Sequence, residues 1–120
     1  MKFCWCTIYV KNMEESLKFY KEIVGLEEKR RFAAGPGMEI TFLGEGDTEI
    51  ELICDANKVD LSYGKDISLG FQVESVDEMH ALLQEKGVPV LSGMISPNPH
   101  TKFFFAQDPN GVKVQFAQMM

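Results

Sequence analysis

The sequence predicts an α+β fold in which a βαβββ module occurs twice in one chain. Stretches in which apolar and polar residues alternate indicate strands, because successive side chains of a strand point to opposite faces. Two amphipathic segments, each opened by a capping-box pattern, indicate helices. The first strand and helix return after roughly sixty residues, a repeat that is too long for a solenoid unit and indicates a duplicated module.

The first predicted strand covers residues 3–10 and has two distinct faces. The face expected to pack under a helix carries Cys4, Cys6, Ile8 and Val10. The opposite face carries Phe3, Trp5, Thr7 and Tyr9.

A helix is predicted directly after this strand. Asn12 with Glu15 three residues later forms a capping box, and apolar residues recur on one stripe from Met13 to Val24. Gly25 ends the helix. Three short strands are expected to complete the first module, near 27–33, 38–43 and 48–54.

The second module repeats this order of elements. Residues 66–73 alternate, with Ile67 on the predicted core face, and Ser75 with Glu78 forms the second capping box. The helix is expected to run to Gly87. Strands are predicted near 88–92, 101–107 and 112–118, and the segment 93–100 is expected to be a loop that acts as a mobile flap.

The 120 residues are predicted to form a single domain, residues 1–120, with module one at about 1–54, a polar linker at 55–66 and module two at about 66–120. The net charge of −6 argues against nucleic acid as a partner, because phosphate neutralisation needs a basic surface. No apolar run approaches the roughly 20 residues of a membrane span, and no signal-peptide pattern opens the chain. We therefore expect no membrane association and a cytoplasmic location.

The strand faces that point away from the helices predict a small-molecule pocket. They combine aromatic rings with a few polar groups, as small-molecule sites do. In module one these are Phe3, Trp5, Thr7, Tyr9, Glu49 and Glu51. In module two they are Ser68, Gln72, Phe103, Phe105, Lys113 and Gln115. The competing interpretation is an ordinary solvated sheet face.

Two segments resemble a known superfamily. The segment 7–26 joins a strand, a Ser16-x-x-Phe19-Tyr20 helix and a Gly25-Leu26 end, and it resembles the opening of glyoxalase I-like proteins. The segment 108–114, with its Asp-Pro-Asn-Gly turn, resembles their closing hairpin. With the duplication, these motifs make the chain similar to the vicinal oxygen chelate superfamily, the group of glyoxalase I, bleomycin-resistance proteins and extradiol dioxygenases. The resemblance implies paired βαβββ modules that form a concave mixed-sheet cleft.

The resemblance also implies where a metal would bind in the superfamily's enzymes. Four side chains hold it, one from the first and one from the last strand of each module. By position these are Trp5, Glu51, Ser68 and Gln115. An indole offers only a donor N–H, and a serine hydroxyl is a poor ligand for Zn, Ni or Fe. His80 and His100 are interpreted as surface or boundary residues. We therefore expect no bound metal and no other cofactor.

Three functional interpretations remain open at this point. The first is a metal-independent binding protein, similar to the bleomycin-resistance proteins, that takes an aromatic or cationic small molecule on Trp5. The second is a glyoxalase I-like lyase or isomerase with weak or no metal, in which Glu51 is the general base unless Lys113 neutralises it. The third is a chain whose pocket no longer binds anything. A homodimer is expected, because each module exposes a wide sheet face that a second copy would cover.

Overall fold

The structure is a computed structural model that describes residues 1–120 and divides them into two compact units, Met1–Ser62 and Tyr63–Met120. Each unit holds one mixed four-stranded sheet and one helical segment, in the order βαβββ. The predicted α+β class and the duplication are thereby confirmed. No helix has the length and apolar character needed to cross a lipid bilayer.

Unit one has its first and last strands side by side. The strands are β1 (Trp5–Tyr9), β2 (Glu28–Ala33), β3 (Met38–Leu43) and β4 (Glu49–Asp55), and their order in the sheet is β1-β4-β3-β2. β1 and β4 run parallel, whereas the other pairs are antiparallel. The helix α1 (Met13–Leu17) lies between β1 and β2 and makes the crossover that a parallel pair requires.

The helical segment of unit one begins and ends as the sequence predicts, but it is not α-helical throughout. The side chain of Asn12 accepts the Glu15 amide at 2.9 Å, which is the N-cap of the predicted capping box. After α1 the chain continues as a π-helix over Lys18–Ile23. Gly25 then adopts a φ of +84°, the left-handed conformation in which glycine commonly ends a helix.

The helix of unit one packs on a single face of the sheet. The register aligns Ile8 of β1 with Leu52 of β4 and Thr41 of β3. All three are buried, and the Thr41 hydroxyl donates to the Met13 sulfur of α1 at 3.4 Å. The face that carries Trp5, Thr7 and Tyr9 is therefore the one that points away from the helix.

Unit two repeats this arrangement around a phenylalanine core. Its elements are β5 (Leu69–Gln72), α2 (Val76–Glu85), β6 (Ile95–Asn98), β7 (Thr101–Gln107) and β8 (Lys113–Met119), with sheet order β5-β8-β7-β6. The rings of Phe104 and Phe116 are fully buried, with centroids 5.7 Å apart. His80 of α2 packs edge-on to Phe104 at 5.2 Å, so it is a boundary residue of the core, as predicted.

Two predicted features of unit two are wrong. The strand expected at 66–73 begins only at Leu69, and Ile67, assigned to the core face, is 70% exposed. The segment 93–100 is not a loop, because its residues 95–98 form β6 and pair with β7.

The strand predicted at 88–92 is reduced to an isolated bridge between Val90 and Ala106. The amide of Phe105 bonds to the hydroxyl of Ser92 at 3.0 Å, where a regular strand would supply a backbone carbonyl. Pro89 has no N–H to donate to the ladder. The edge of this sheet is therefore a strand that is interrupted near Ser92 and resumes at β6.

The alternation along β7 yields a stability prediction. Phe104 is fully buried, whereas the neighbouring Phe103 lies on the opposite face and is only half-buried. We expect Phe104→Ala to lower the free energy of unfolding by about 3–5 kcal/mol, the usual cost of removing a buried phenylalanine ring. Phe103→Ala is the matched control and should cost clearly less. Urea denaturation measures both, and equal losses would contradict the assignment of the two faces.

Candidate functional site

The site-facing surface of unit one is the sheet face opposite α1. In the register, Trp5 lies beside Glu49, Thr7 beside Glu51 and Tyr9 beside Ile53. The neighbouring strands add Phe42 opposite Glu51 and Arg30 opposite Phe42. The structure thus brings the predicted residues of β1 and β4 together. Phe3 precedes β1 and is exposed.

The ring of Phe42 is the centre of an aromatic cluster on this face. Trp5 meets it edge-on, with ring centroids 5.4 Å apart and an interplanar angle of 73°. Phe32 of β2 lies 6.4 Å away in a stacked arrangement. Phe42 is only 5% exposed, whereas Trp5 is 48% and Phe32 44% exposed. The buried ring therefore holds two neighbouring rings whose outer surfaces remain open to a ligand.

Arg30 joins this cluster to Glu49. Its guanidinium carbon lies 4.0 Å from the Phe42 ring centroid, within the range of a cation–π contact. Its Nη1 and Nη2 donate to the two carboxylate oxygens of Glu49 at 3.1 and 3.0 Å. Such a bidentate pair fixes both groups in one plane. The charge of Glu49, which the sequence predicts to line the small-molecule pocket, is therefore already compensated within unit one.

Glu51 has a different environment. The hydroxyl of Thr7 donates to its Oε1 at 2.6 Å. No ammonium or guanidinium group lies within ion-pairing distance of its carboxylate. Thr7 orients the carboxylate and leaves Oε2 to accept a hydrogen bond or to face a positive charge. Of the two predicted carboxylates, Glu51 is the one that is available to a ligand.

Tyr9 lies at the end of this face that is farther from Trp5. Its ring packs against a small cluster of buried apolar side chains formed by Ile40, Phe42 and Ile53. The ammonium of Lys58 lies 5.3 Å from the ring centroid of Tyr9. Tyr9 is therefore partly a packing residue as well as a lining residue.

The corresponding face of unit two holds aromatic rings with one ammonium group. Phe103 and Phe105 meet edge-on at 5.6 Å, and the Lys113 ammonium lies 4.2 Å from the Phe105 ring centroid. Gln115 stands opposite Phe105 and beside Gly70. Gln72 lies exposed further along β5, and Ser68 is exposed just before that strand begins.

The Asp-Pro-Asn-Gly motif of unit two is structural. Asp108 is buried, and its Oδ1 accepts the amides of Asn110 and Val112, each at 2.8 Å. Burial and the negative charge of Asp108 both raise the pKa of Tyr63. This motif closes the hairpin between β7 and β8 and does not belong to the site face.

The three cysteines are free thiols. Burial raises the pKa of the Cys6 thiol, so this sulfur stays protonated and unreactive near neutral pH. Cys4 donates weakly to the Lys2 carbonyl, and Cys54 to the Lys11 carbonyl. Cys4 is exposed and Cys6 is only partly buried, so the prediction that Cys4 packs under the helix is wrong, because the first strand begins only at Trp5.

The four residues that the resemblance assigns to the superfamily's metal positions do not form a set of metal ligands. Trp5 contributes an indole that packs on Phe42, and Ser68 contributes an exposed hydroxyl outside the strand. Only Glu51 and Gln115 carry oxygen donors of the usual kind, and one of them is neutral. The chain holds no group of three or more His, Cys, Asp or Glu side chains arranged to bind a metal ion. No step of a reaction is therefore assigned to a metal here.

Comparison with known proteins supports the fold and the likeness to this group. The chain is 30% identical to a lactoylglutathione lyase of Neisseria meningitidis serogroup A, over 98% of this chain and 91% of that protein. Its fold matches glyoxalase I of Leishmania major with a TM-score of 0.83 at 22% identity, covering 98% of this chain and 86% of the other. It also matches TnmS3, an antibiotic-binding protein from Streptomyces sp. CB03234, with a TM-score of 0.75 at 21% identity, covering 100% and 97%.

A family model describes nearly the whole chain. The model of the Glyoxalase/Bleomycin resistance protein/Dioxygenase superfamily matches residues 2–116, which include every strand and helix up to the middle of β8. The paired βαβββ units, the parallel contact of the first and last strand in each, and this match agree with one another. The chain belongs to the Glyoxalase/Bleomycin resistance protein/Dioxygenase superfamily.

Proposed function

We propose that this chain binds a planar aromatic small molecule without a metal and without altering it, as the bleomycin-resistance branch of the superfamily does. The observation that carries the proposal is Trp5. It occupies the position of a metal ligand in related enzymes, packs edge-on to Phe42 and remains 48% exposed. A large ring that is fixed by a buried neighbour and open on its other side is a stacking surface for a ligand.

The polar groups beside Trp5 indicate which chemical groups the proposed ligand carries at the edge of its ring. Glu51 offers an acceptor that Thr7 has already oriented. Glu49 has little capacity left to bind a ligand, because Arg30 donates a hydrogen bond to each of its carboxylate oxygens. The proposed ligand therefore places a hydrogen-bond donor or a positive charge against Glu51 while its ring stacks on Trp5. An antibiotic-binding protein among the structural neighbours supports this class of function.

A lyase remains the alternative, and the 30% identity to the Neisseria lactoylglutathione lyase favours it. In that case Glu51 would be the general base, since it is the oriented carboxylate of unit one. The residues at the metal positions argue against it, because two of the four cannot replace a histidine or a carboxylate. Binding therefore remains the better supported proposal.

A homodimer is part of the proposal. Each four-stranded sheet has a helix on one face only, and the opposite face of unit one also exposes the ring of Phe32, which is not part of the proposed stacking surface. Association through such surfaces is a common way to cover them, and a twofold dimer is the usual form.

The predicted cytoplasmic location stays a prediction.

The stacking proposal is tested through the single tryptophan. Titration with planar aromatic amines such as 9-aminoacridine and 2-naphthylmethylamine should change Trp5 emission saturably. Calorimetry should show that Trp5→Ala weakens the bound compound by about 1–3 kcal/mol, by analogy with the loss of one aromatic–base stack. Val59→Ala, at an exposed apolar residue of the linker, is the control and should bind normally. Wild-type affinity in Trp5→Ala would refute the stacking site and favour an indole that merely fills the former metal position.

The metal-independence and the absence of turnover are tested together. Elemental analysis after dialysis should find well under one equivalent of Zn, Ni or Fe. The thiohemiacetal of glutathione and methylglyoxal should not react above the uncatalysed rate, with or without added Zn²⁺ or Ni²⁺. Two results would make the lyase the better interpretation. One is a full equivalent of metal in the wild type that Glu51→Ala loses, and the other is turnover of the thiohemiacetal that Glu51→Ala loses.

The dimer is tested by mass in solution. Light scattering at micromolar concentration should give about twice the chain mass of 13.6 kDa. Phe32→Glu would replace an exposed ring by a carboxylate and should shift the mass toward that of the monomer. A wild-type mass near 13.6 kDa would show that no second copy covers these faces.

A further inference from the structure

The site-facing surface of unit two differs in charge from that of unit one. The register places Gly70, Phe103, Phe105, Lys113 and Gln115 on this face. None of the strand residues that share the face is acidic. A chain with a net charge of −6 thus presents here a surface whose single charge is positive.

Lys113 is held over the sheet. Its ammonium lies 4.2 Å from the ring centroid of Phe105, and the ring of Phe105 is in turn fixed edge-on by Phe103. The ammonium forms no ion pair with any carboxylate, whereas Lys102 on the opposite face is paired with Asp77 at 3.1 Å. An ammonium on an aromatic ring gains only part of the stabilisation that a hydrogen-bonded anion would supply. Its donor capacity is therefore unused.

Gln115 adds a second unused polar group. It lies two residues after Lys113 on β8, so both side chains emerge on one face roughly 7 Å apart along the strand. Its carboxamide occupies the space that the missing side chain of Gly70 leaves, since a Cβ at that glycine would come within 3.3 Å of the Gln115 Oε1. No hydrogen bond forms between this carboxamide and another group of the protein.

We propose that Lys113 and Gln115 form an oxyanion subsite on the open face of unit two, and that this face binds an aromatic carboxylate. The ammonium supplies the charge and the carboxamide N–H a second donor, while the rings of Phe103 and Phe105 receive the aromatic part. A carboxylate accepts two donors at once and suits this pair. The assignment rests on the proposed function, the binding of an aromatic small molecule, and extends it to the open face of unit two and to anionic ligands.

The test uses two compounds of equal size and opposite charge, 2-naphthoate and 2-naphthylmethylamine, followed by amide NMR of the full chain. We expect 2-naphthoate to shift the amides of Phe105, Lys113 and Gln115 saturably. Lys113→Met should weaken its binding about tenfold, since one charge-assisted hydrogen bond is lost. Lys113→Arg keeps the charge and the ring contact and should stay within about threefold of the wild type. Lys65→Met, at an exposed lysine of the linker, is the matched control and should bind as the wild type does.

Two further outcomes separate this subsite from the proposed function as a whole. Wild-type affinity for 2-naphthoate in a folded Lys113→Met variant would overturn the subsite. The subsite would also be overturned if 2-naphthoate left the amides of unit two unchanged while 2-naphthylmethylamine quenched the emission of Trp5. In that case the proposed function would still stand. Failure of both compounds to bind would overturn both proposals. Added salt should weaken the binding of 2-naphthoate, and salt-independent binding would contradict a charged contact.

Discussion

The parallel contact between the first and the last strand of each unit is the constraint on which the rest of the structure depends. A parallel pair cannot be closed by a tight turn, so a long connection must separate the two strands, and in each unit this connection includes the helix. That helix covers one face of the sheet and leaves the other open. In unit one the same contact sets Thr7 beside Glu51, and in unit two it sets Gly70 beside Gln115. Residues that are more than forty positions apart thus become neighbours on the open face.

The alternation of residues made much of this predictable. In β1 one face is apolar and the other is mixed, so the sequence assigned Ile8 to the core and Trp5 to the open face, and the structure buries Ile8 and leaves Trp5 exposed. The N-caps Asn12 and Ser75 were also predictable, because a capping box involves residues only three positions apart.

The interactions across strands were not predictable in the same way. In β3 apolar residues alternate with Glu39 and Thr41, so alternation alone would assign Phe42 to the face under the helix, whereas it lies on the open face opposite Glu51. A register shift between Glu28 and Arg30 in β2 decides that Arg30 faces Phe42, and such a bulge leaves no clear sequence signal. The Arg30–Glu49 ion pair and the aromatic cluster therefore could not be predicted from the sequence and are seen only in the structure. The interrupted edge of unit two escaped prediction for a similar reason, since Ser92 replaces a backbone acceptor through its side chain.

The charged groups on the two open faces are compensated by neighbouring side chains. A divalent cation would satisfy several carboxylate and imidazole ligands at once. Here Arg30 satisfies Glu49, and Thr7 satisfies one oxygen of Glu51. What remains is one carboxylate on the open face of unit one and one ammonium on that of unit two, each held by a neighbour within its own unit. Both groups are fixed in place without a metal, and neither is neutralised by an ion pair. Each open face thus presents one fixed charge to a ligand group of the opposite charge.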